Sequence, residues 1–212
     1  MKDFLNLIRW KNLLVILLGL LIVRISIINP FYLKYGYGFL FPYVNSTYYI
    51  LFIFGILLIA AAANIINDYF DYDIDLINRD EDKIYVGRII KKESALKLFY
   101  ILASLGVFIH FAIGYQCGCI QLGFISIVFV LMAYFYSLKY KRMFIIGNIV
   151  IAFLYAMIIF LPAIFELLCL MRHIDIFKVL LPNVKRIGYM FLFLTVFTFL
   201  LTIIRDIVKD MR

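Results

Sequence analysis

Three polar side chains at intervals of four residues, Asn67, Asp71 and Asp75, follow closely on a long apolar run. Because an α-helix has 3.6 residues per turn, each step of four residues rotates the side chain by only about 40°. The three residues therefore share one polar stripe on a helix, with Asp68 beside it and Asp73 pointing elsewhere. Crowded acids repel one another, so such a cluster is costly unless a cation lies among them.

The oxygen atoms of this cluster are hard ligands of the kind that suit Mg²⁺. In proteins Mg²⁺ usually binds one or two carboxylates and completes its shell with water and substrate phosphate. The pattern predicts that Asn67, Asp68, Asp71 and Asp75 hold Mg²⁺ and a diphosphate at a membrane surface, with Asn67, Asp71 and Asp75 as catalytic residues. The alternative is a solvated helix end with excess acid. We favour the metal site because acids within or beside membrane spans are usually functional.

The composition indicates a membrane protein. Hydrophobic residues make up 66% of the 212 residues, whereas a soluble domain has about half. Long, nearly uncharged runs recur, so we expect an all-α, polytopic transmembrane bundle in a single domain, 1–212. The net charge of +8 is carried by segments between the runs, where contact with membrane lipid headgroups explains it. No nucleic-acid partner is therefore expected.

Six membrane spans are predicted, separated by loops at 29–47, which is rich in Pro, Gly and Tyr, and at 171–186, which is basic. The fifth span is long enough to be tilted, or to be broken at Pro162. Most of the Lys and Arg residues fall on the side of the N-terminus. The positive-inside rule therefore places the N-terminus and the acidic motif in the cytoplasm. The spans are 12–28, 48–66, 94–115, 120–138, 144–170 and 187–204.

Basic residues near the acidic motif are candidate ligands of the diphosphate. Arg79, Lys83 and Arg88 follow the motif, and Lys139 follows the fourth span. Arg and Lys side chains form charge-assisted hydrogen bonds with phosphate oxygens. The alternative for each residue is a basic loop that only sets the membrane topology.

The motif Asn67-Asp68-x-x-Asp71-x-x-x-Asp75, continued by Ile77-Asn78-Arg79 and Gly87-Arg88, resembles the first signature of the UbiA superfamily of intramembrane prenyltransferases. Many members of that superfamily read Asn-Arg-Pro-x-Arg-Pro after the motif. This chain has Asn78-Arg79-Asp80-Glu81-Asp82-Lys83 and lacks both prolines.

Two further stretches carry the resemblance. Arg9 and Asn12 match the start of the first family helix, which implies that they face the mouth of the active site; the alternative is a positive-inside anchor. Tyr136-Ser137-x-Lys139, followed by Gly147-Asn148, resembles a second family stretch. By that likeness Tyr136, Lys139 and Asn148 are expected to contact the diphosphate.

The C-terminal residues match the opening of the second family signature, in Arg205-Asp206-x-x-Lys209-Asp210. The match implies a metal role for Asp206 and Asp210, a catalytic role for Asp210 and a diphosphate contact for Lys209. Family members have nine spans, whereas six are predicted here. We therefore expect a C-terminally truncated or split reading frame.

The resemblance implies Mg²⁺-dependent transfer of an isoprenyl group from an isoprenyl diphosphate to a lipophilic acceptor within the membrane. The branch that it favours transfers geranylgeranyl groups to glycerol-phosphate lipids. Prenylation of an aromatic quinone precursor is the alternative. A non-enzymatic membrane carrier and an inactive fragment are alternatives of another class.

Three polar residues within apolar spans stand apart from the motif. Arg24 either reaches towards the membrane interface or lines a cavity. Glu166 is expected to pair with Arg172 or to contact water. His110 is interpreted as a hydrogen-bonded structural residue.

Overall fold

A computed structural model describes residues 2–34, 46–78 and 84–210. The last four helices follow one another through short connections, at 118–120, 139–143 and 172–173. An isolated bridge between Val86 and Ile90 is the only β pairing among the described residues. The helices are α1 (Lys2–Leu7), α2 (Trp10–Val23), α3 (Asn29–Lys34), α4 (Ser46–Asn78), α5 (Lys92–Cys117), α6 (Gln121–Leu138), α7 (Phe144–Met171) and α8 (Ile174–Asp210).

Within the described residues, six helical segments are long and apolar enough to cross a membrane. They confirm the all-α, six-span prediction. The first of them, Trp10–Lys34, joins α2 to α3 through a π-helical turn, Arg24–Ile28. Helix α4 extends beyond the predicted span 48–66 and carries the acidic motif as far as Asn78, as the helical stripe of Asn67, Asp71 and Asp75 predicted.

The loop predicted from residue 29 is wrong at its start, since Asn29–Lys34 is helical. That prediction rested on the Pro, Gly and Tyr content of 29–47. Pro30 disfavours a helix because proline has no N–H and its ring collides with the carbonyl of the residue four positions earlier. The π-helical turn just before Pro30 avoids the break. Asn29 there donates its N–H to the carbonyl of Arg24, five residues back, and the wider turn accommodates the ring.

The loop predicted at 171–186 is also wrong, because α8 begins at Ile174 and continues through Pro182. Ile176, Leu180 and Val184 recur at intervals of four and pack against the core, with Leu180 fully buried. This amphipathic face makes the segment helical although its other face is charged. Helix α7 is likewise unbroken at Pro162.

Helix α4 lies at the centre of the bundle, where it packs against α2, α5 and α6, while α7 packs against α2, α6 and α8. We call the end of the bundle at the C-terminal part of α4 the motif end, and the other end the opposite end. A core cluster at the motif end includes Leu7, Ile65 and Phe99. A larger cluster at the opposite end includes Phe52 and Phe165, whose rings stack 4.8 Å apart.

The opposite end contains a buried ion pair between Arg24 of the π-helical turn and Glu166 of α7. The hydroxyl of Tyr32 donates a hydrogen bond to the second oxygen of Glu166 at 2.9 Å, and the Arg24 guanidinium lies 4.7 Å from the ring centre of Tyr49. The partner of Glu166 is thus Arg24, not Arg172, which donates to the Gln116 carbonyl at 3.2 Å.

Candidate active site at the motif end of the bundle

Asn67 and Asp71, two residues of the predicted polar stripe on α4, contact the turn that follows α6. The Asn67 amide donates to Asp71 at 3.0 Å. The ammonium of Lys141 bridges both residues, with a hydrogen bond of 3.2 Å to Asn67 Oδ1 and an ion pair with Asp71 Oδ2. One cation therefore lies between two oxygen ligands that stand one helical turn apart.

Lys141 is directed to this position by a 3₁₀ turn, Tyr140–Arg142, between α6 and α7. Gly147 of α7 makes the close approach of this turn possible, since a Cβ atom there would lie 2.6 Å from the Tyr140 carbonyl oxygen. The position of Lys141 is therefore set by a tight turn that packs on Gly147.

A second ion pair joins the motif to the turn between α1 and α2. Arg9 Nη2 lies 2.7 Å from Asp68 Oδ1. Arg9 has a left-handed backbone with φ of 54°, a conformation that is uncommon for residues other than glycine. The Asn64 amide holds this turn by donating to the Ile8 carbonyl at 2.9 Å. The α4 side chains thus position the arginine that neutralises Asp68.

The acids of α4 are sorted by direction, as the helical spacing predicted. Asp68, Asp71 and Asp75 are all buried, whereas the side chain of Asp73 is 82% exposed. The segment 84–91 packs against this region at Gly87, which has φ of 91°. A Cβ atom at Gly87 would collide with the ring of Tyr72.

A cavity of about 860 Å³ opens at the motif end and extends between α2, α4, α6, α7 and α8. This volume lies in the range of small-molecule binding sites. Its polar end carries positive charge from Arg9, Lys141, Arg142 and Arg205. Its inner part is apolar and is lined by Ile16, Ile56, Ile59, Phe129, Ile158 and Leu161, among others.

Six of the residues predicted for the site line this cavity: Arg9, Asn12, Asn67, Tyr136, Asn148 and Asp206. Asp68 and Asp71 are each bonded to a lining residue. Asp75 is buried outside the lining, and Arg88 and Lys139 are exposed outside it. Arg79 and Lys83 lie outside the described residues, as do the side chains of Lys209 and Asp210.

Several lining residues were not predicted from the sequence. Lys141 and Arg142 follow Lys139 in one basic run, and the sequence offers no way to decide which of these cations points inward. Arg205 pairs with Asp206 at 2.9 Å and lies 5.7 Å from the ring centre of Tyr155. Asn64, Ser137 and Tyr155 complete the polar end. The spacing of Asn64, three residues before Asn67, was a usable signal, because residues three apart share a helix face.

Asn67 and Asp71 are suited to hold a magnesium ion. Asn67 Oδ1 and Asp71 Oδ2 already hold one cation, the Lys141 ammonium, and a magnesium ion there would take its place and leave the ammonium free to turn to the phosphate. The number of protein ligands that Mg²⁺ needs is small when phosphate and water complete its shell. Among the described residues, no three His, Cys, Asp or Glu side chains are grouped closely enough to bind a metal by themselves. A metal at this position therefore depends on oxygens from the bound substrate.

The bundle and its cavity define the chain as an integral, multi-pass membrane protein with a polar site at one end of an apolar pocket. Residues 35–212 match the model of the UbiA prenyltransferase family. This protein belongs to the UbiA prenyltransferase family.

The chain is similar to digeranylgeranylglyceryl phosphate synthases. It is 40% identical over 114 residues to that of Methanosarcina mazei, covering 54% of this chain and 36% of the relative. It is 31% identical over 153 residues to that of Methanothermobacter thermautotrophicus, covering 71% of this chain and 45% of the relative. The chain thus spans less than half the length of these relatives.

The fold is shared with a solved structure of digeranylgeranylglyceryl phosphate synthase in membranes. The TM-score is 0.66 at 23% sequence identity, and the match covers 99% of this chain and 62% of the solved one. The similarity shows that the helices of this chain have the arrangement found in that structure.

Proposed function

We propose that the protein transfers an isoprenyl group from an isoprenyl diphosphate to a glycerol-phosphate ether lipid within the membrane, with Mg²⁺ bound at Asn67 and Asp71. The observation that carries the proposal is the convergence of Lys141, Asn67 and Asp71 at the polar end of an apolar cavity. A diphosphate with a long apolar chain has the same distribution of charge and apolar surface as this cavity.

The cations of the polar end bind the diphosphate. Lys141, Arg142 and Arg9 come from two different turns and supply charge-assisted hydrogen bonds from separate directions. As the bond to the allylic carbon breaks, negative charge grows on the leaving diphosphate, and these donors stabilise it in place. The metal, when bound, supplies further electrophilic stabilisation of the same leaving group.

The acids keep these cations in position. Asp71 orients Lys141 and Asp68 orients Arg9, so both side chains are held before the substrate arrives. Such preorganisation lowers the free energy needed to order the site during the reaction. Asn67 adds a neutral oxygen as a second ligand for the cation.

The apolar part of the cavity holds the isoprenyl chain and keeps water away from the allylic carbon. Exclusion of water matters because a carbocation-like centre reacts with water as readily as with the intended acceptor. A glycerol-phosphate lipid is the proposed acceptor, because the relatives found are named as synthases of a glyceryl phosphate lipid. We place the motif end at the cytoplasmic face, since most basic residues outside the spans lie at this end.

Membranes that contain the chain provide the test. Labelled geranylgeranyl diphosphate is supplied with either geranylgeranylglyceryl phosphate or an aromatic acid as acceptor, with Mg²⁺ or with excess chelator. We expect a labelled lipid from the glycerol-phosphate acceptor only, and only with Mg²⁺. Product from the aromatic acid alone, or equal product with chelator, would contradict the proposal. Membranes from cells without the chain give the background rate.

A further inference from the structure

A histidine lies at the inner end of the cavity, far from the diphosphate ligands. Among the described residues, His110 is the only one from α5 that lines the cavity. One ring nitrogen is paired with the hydroxyl of Ser126 on α6. The other lies 3.0 Å from the carbonyl oxygen of Phe52 on α4. The ring therefore connects three helices across the end of an otherwise apolar pocket.

The ring has no room to retreat. It packs directly on the backbone of α4 at Gly55, where a Cβ atom would lie only 2.5 Å from His110 Nε2. Behind it, Phe52 lies 5.5 Å from the ring centre of His110 and stacks on Phe165. The side chain is 2% exposed. His110 thus forms a rigid floor.

The distance from this floor to the polar end follows from the helices. Ser126 and Ser137 both line the cavity on α6 and stand eleven positions apart, which at 1.5 Å per residue is about 16 Å. On α4, the step from Gly55 to Asn67 corresponds to about 18 Å by the same rise. A chain anchored by its diphosphate at Lys141 and Asn67 has this length available before it meets the His110 ring.

We propose that His110, held by Ser126 and backed by Gly55, limits the length of the isoprenyl chain that the cavity accepts. The inference rests on the proposed function, since it assumes an isoprenyl diphosphate anchored at the polar end. A chain one isoprene unit too long must break both hydrogen bonds of the ring or bend back against the wall. A shorter chain leaves the ring undisturbed but fills less of the apolar pocket. His110 is therefore a specificity-determining residue that does not touch the reacting atoms.

The test measures binding of isoprenyl diphosphates with two, three, four and five isoprene units to the purified full chain in detergent with Mg²⁺. The quantity compared is the ratio of dissociation constants between the longest chain accepted by the wild type and the next longer one. Removal of the floor by His110→Ala should improve the relative affinity for the longer chain by about tenfold, a size typical of apolar pocket discrimination. His110→Phe keeps a ring in place and should preserve the wild-type ratio.

Two further variants, His110→Asn and Cys169→Ala, serve as controls. The ratio is taken within one preparation, so a partly misfolded variant does not change it. His110→Asn replaces the ring with an amide that fills part of the same space, so it should give a smaller shift than His110→Ala. Cys169→Ala, at a buried position outside the cavity, should leave the ratio unchanged. An unchanged ratio in both His110→Ala and His110→Asn would overturn the proposal, because the chain would then leave the cavity sideways. Absence of binding by the wild type to every diphosphate would refute the proposed function itself and this inference with it.

Discussion

The two ends of the bundle both bury carboxylates beside cations, yet they do so in different ways. At the opposite end, Arg24 and Glu166 are both nearly inaccessible, with side chains 8% and 10% exposed. At the motif end, Asp68 and Asp71 are as deeply buried, but their partners Arg9 and Lys141 remain 37% and 35% exposed. The difference lies in the cations.

When both side chains of an ion pair are buried, as at the opposite end, neither is accessible to a ligand. Glu166 is satisfied by Arg24 and Tyr32, so this cluster ties α2, α3 and α7 together. The half-exposed cations at the motif end still have hydrogen atoms available to a substrate in the cavity. On the proposed function, the same pairing chemistry therefore serves stability at one end and substrate binding at the other.

Loss of one partner at the opposite end should give the largest effect on stability. Glu166→Gln leaves the Arg24 charge buried without its counter-ion, and breaking a buried pair in this way costs about 3–5 kcal/mol of unfolding free energy. Denaturant unfolding in detergent measures the loss. The affinity of the folded protein for an isoprenyl diphosphate should be unchanged.

The double variant Arg24→Met/Glu166→Leu provides the control for this effect. Because a well-packed apolar pair often replaces a buried ion pair without loss, most of the stability should return. A double variant as unstable as Glu166→Gln would show that the charges themselves, not the removal of one, hold this end together.

The two ends also differ in the neighbours of their left-handed glycines. Gly87 at the motif end faces the Tyr72 ring, whereas Gly118 at the opposite end, with φ of 68°, faces the flexible side chain of Arg172. Gly87→Ala should cost about 1–3 kcal/mol, the range for strained backbone sites, and should weaken diphosphate binding as the segment 84–91 shifts on α4. Thermal unfolding and diphosphate binding measure the two effects.

Gly118→Ala is the matched variant for this comparison. Its backbone is also left-handed but lies within the αL region that other residues adopt, and its neighbour is adaptable. Its loss of stability should therefore be smaller, and diphosphate affinity should stay at the wild-type value. Equal loss of affinity in both variants would contradict the separation of roles between the two ends.

Lys141 and Lys139 test the binding role of one cation against a neighbour that points away. Lys141→Gln should weaken diphosphate binding about tenfold, since a charged hydrogen bond contributes roughly 1.5–3 kcal/mol. Lys139→Gln should change the affinity less than twofold, because Lys139 is exposed outside the cavity. Competition binding with inorganic diphosphate measures both. A larger loss of affinity in Lys139→Gln than in Lys141→Gln would show that Lys139, not Lys141, contacts the diphosphate.

The sequence carried much of the fold and part of the site. The period of Asn67, Asp71 and Asp75 predicted a shared stripe and excluded Asp73 from it, because helical geometry is local. The six spans followed from apolar runs of sufficient length. The two mistaken loops were predicted from composition, one from its Pro, Gly and Tyr content and one from its basic residues. The wider turn before Pro30 and the apolar face around Leu180 outweighed those local signals.

The side-chain pairings that the sequence could not predict depend on contacts between segments far apart in the chain. Arg24 and Glu166 are separated by 142 positions, so their pairing is invisible without the packing of α7. The choice of Lys141 over Lys139 depends on the 3₁₀ turn and its contact with Gly147. His110 was interpreted as structural from its apolar surroundings; its hydrogen bonds support that reading, but its place at the inner end of the cavity required the packing of α4, α5 and α6.

We propose that the cations at the polar end of the cavity bind an isoprenyl diphosphate together with Mg²⁺, and that this binding depends on Asp71 of α4, which orients Lys141. The most direct measurement is the affinity of the purified chain for an isoprenyl diphosphate with and without Mg²⁺, in the wild type, in Asp71→Asn and in Asp73→Asn. The two variants alter the same residue type on the same helix, but Asp71 is buried and paired with Lys141, whereas Asp73 is exposed on another face. We predict Mg²⁺-dependent binding in the wild type and in Asp73→Asn and its loss in Asp71→Asn. Equal Mg²⁺-dependent binding by all three proteins, or binding that ignores Mg²⁺ throughout, would contradict the account.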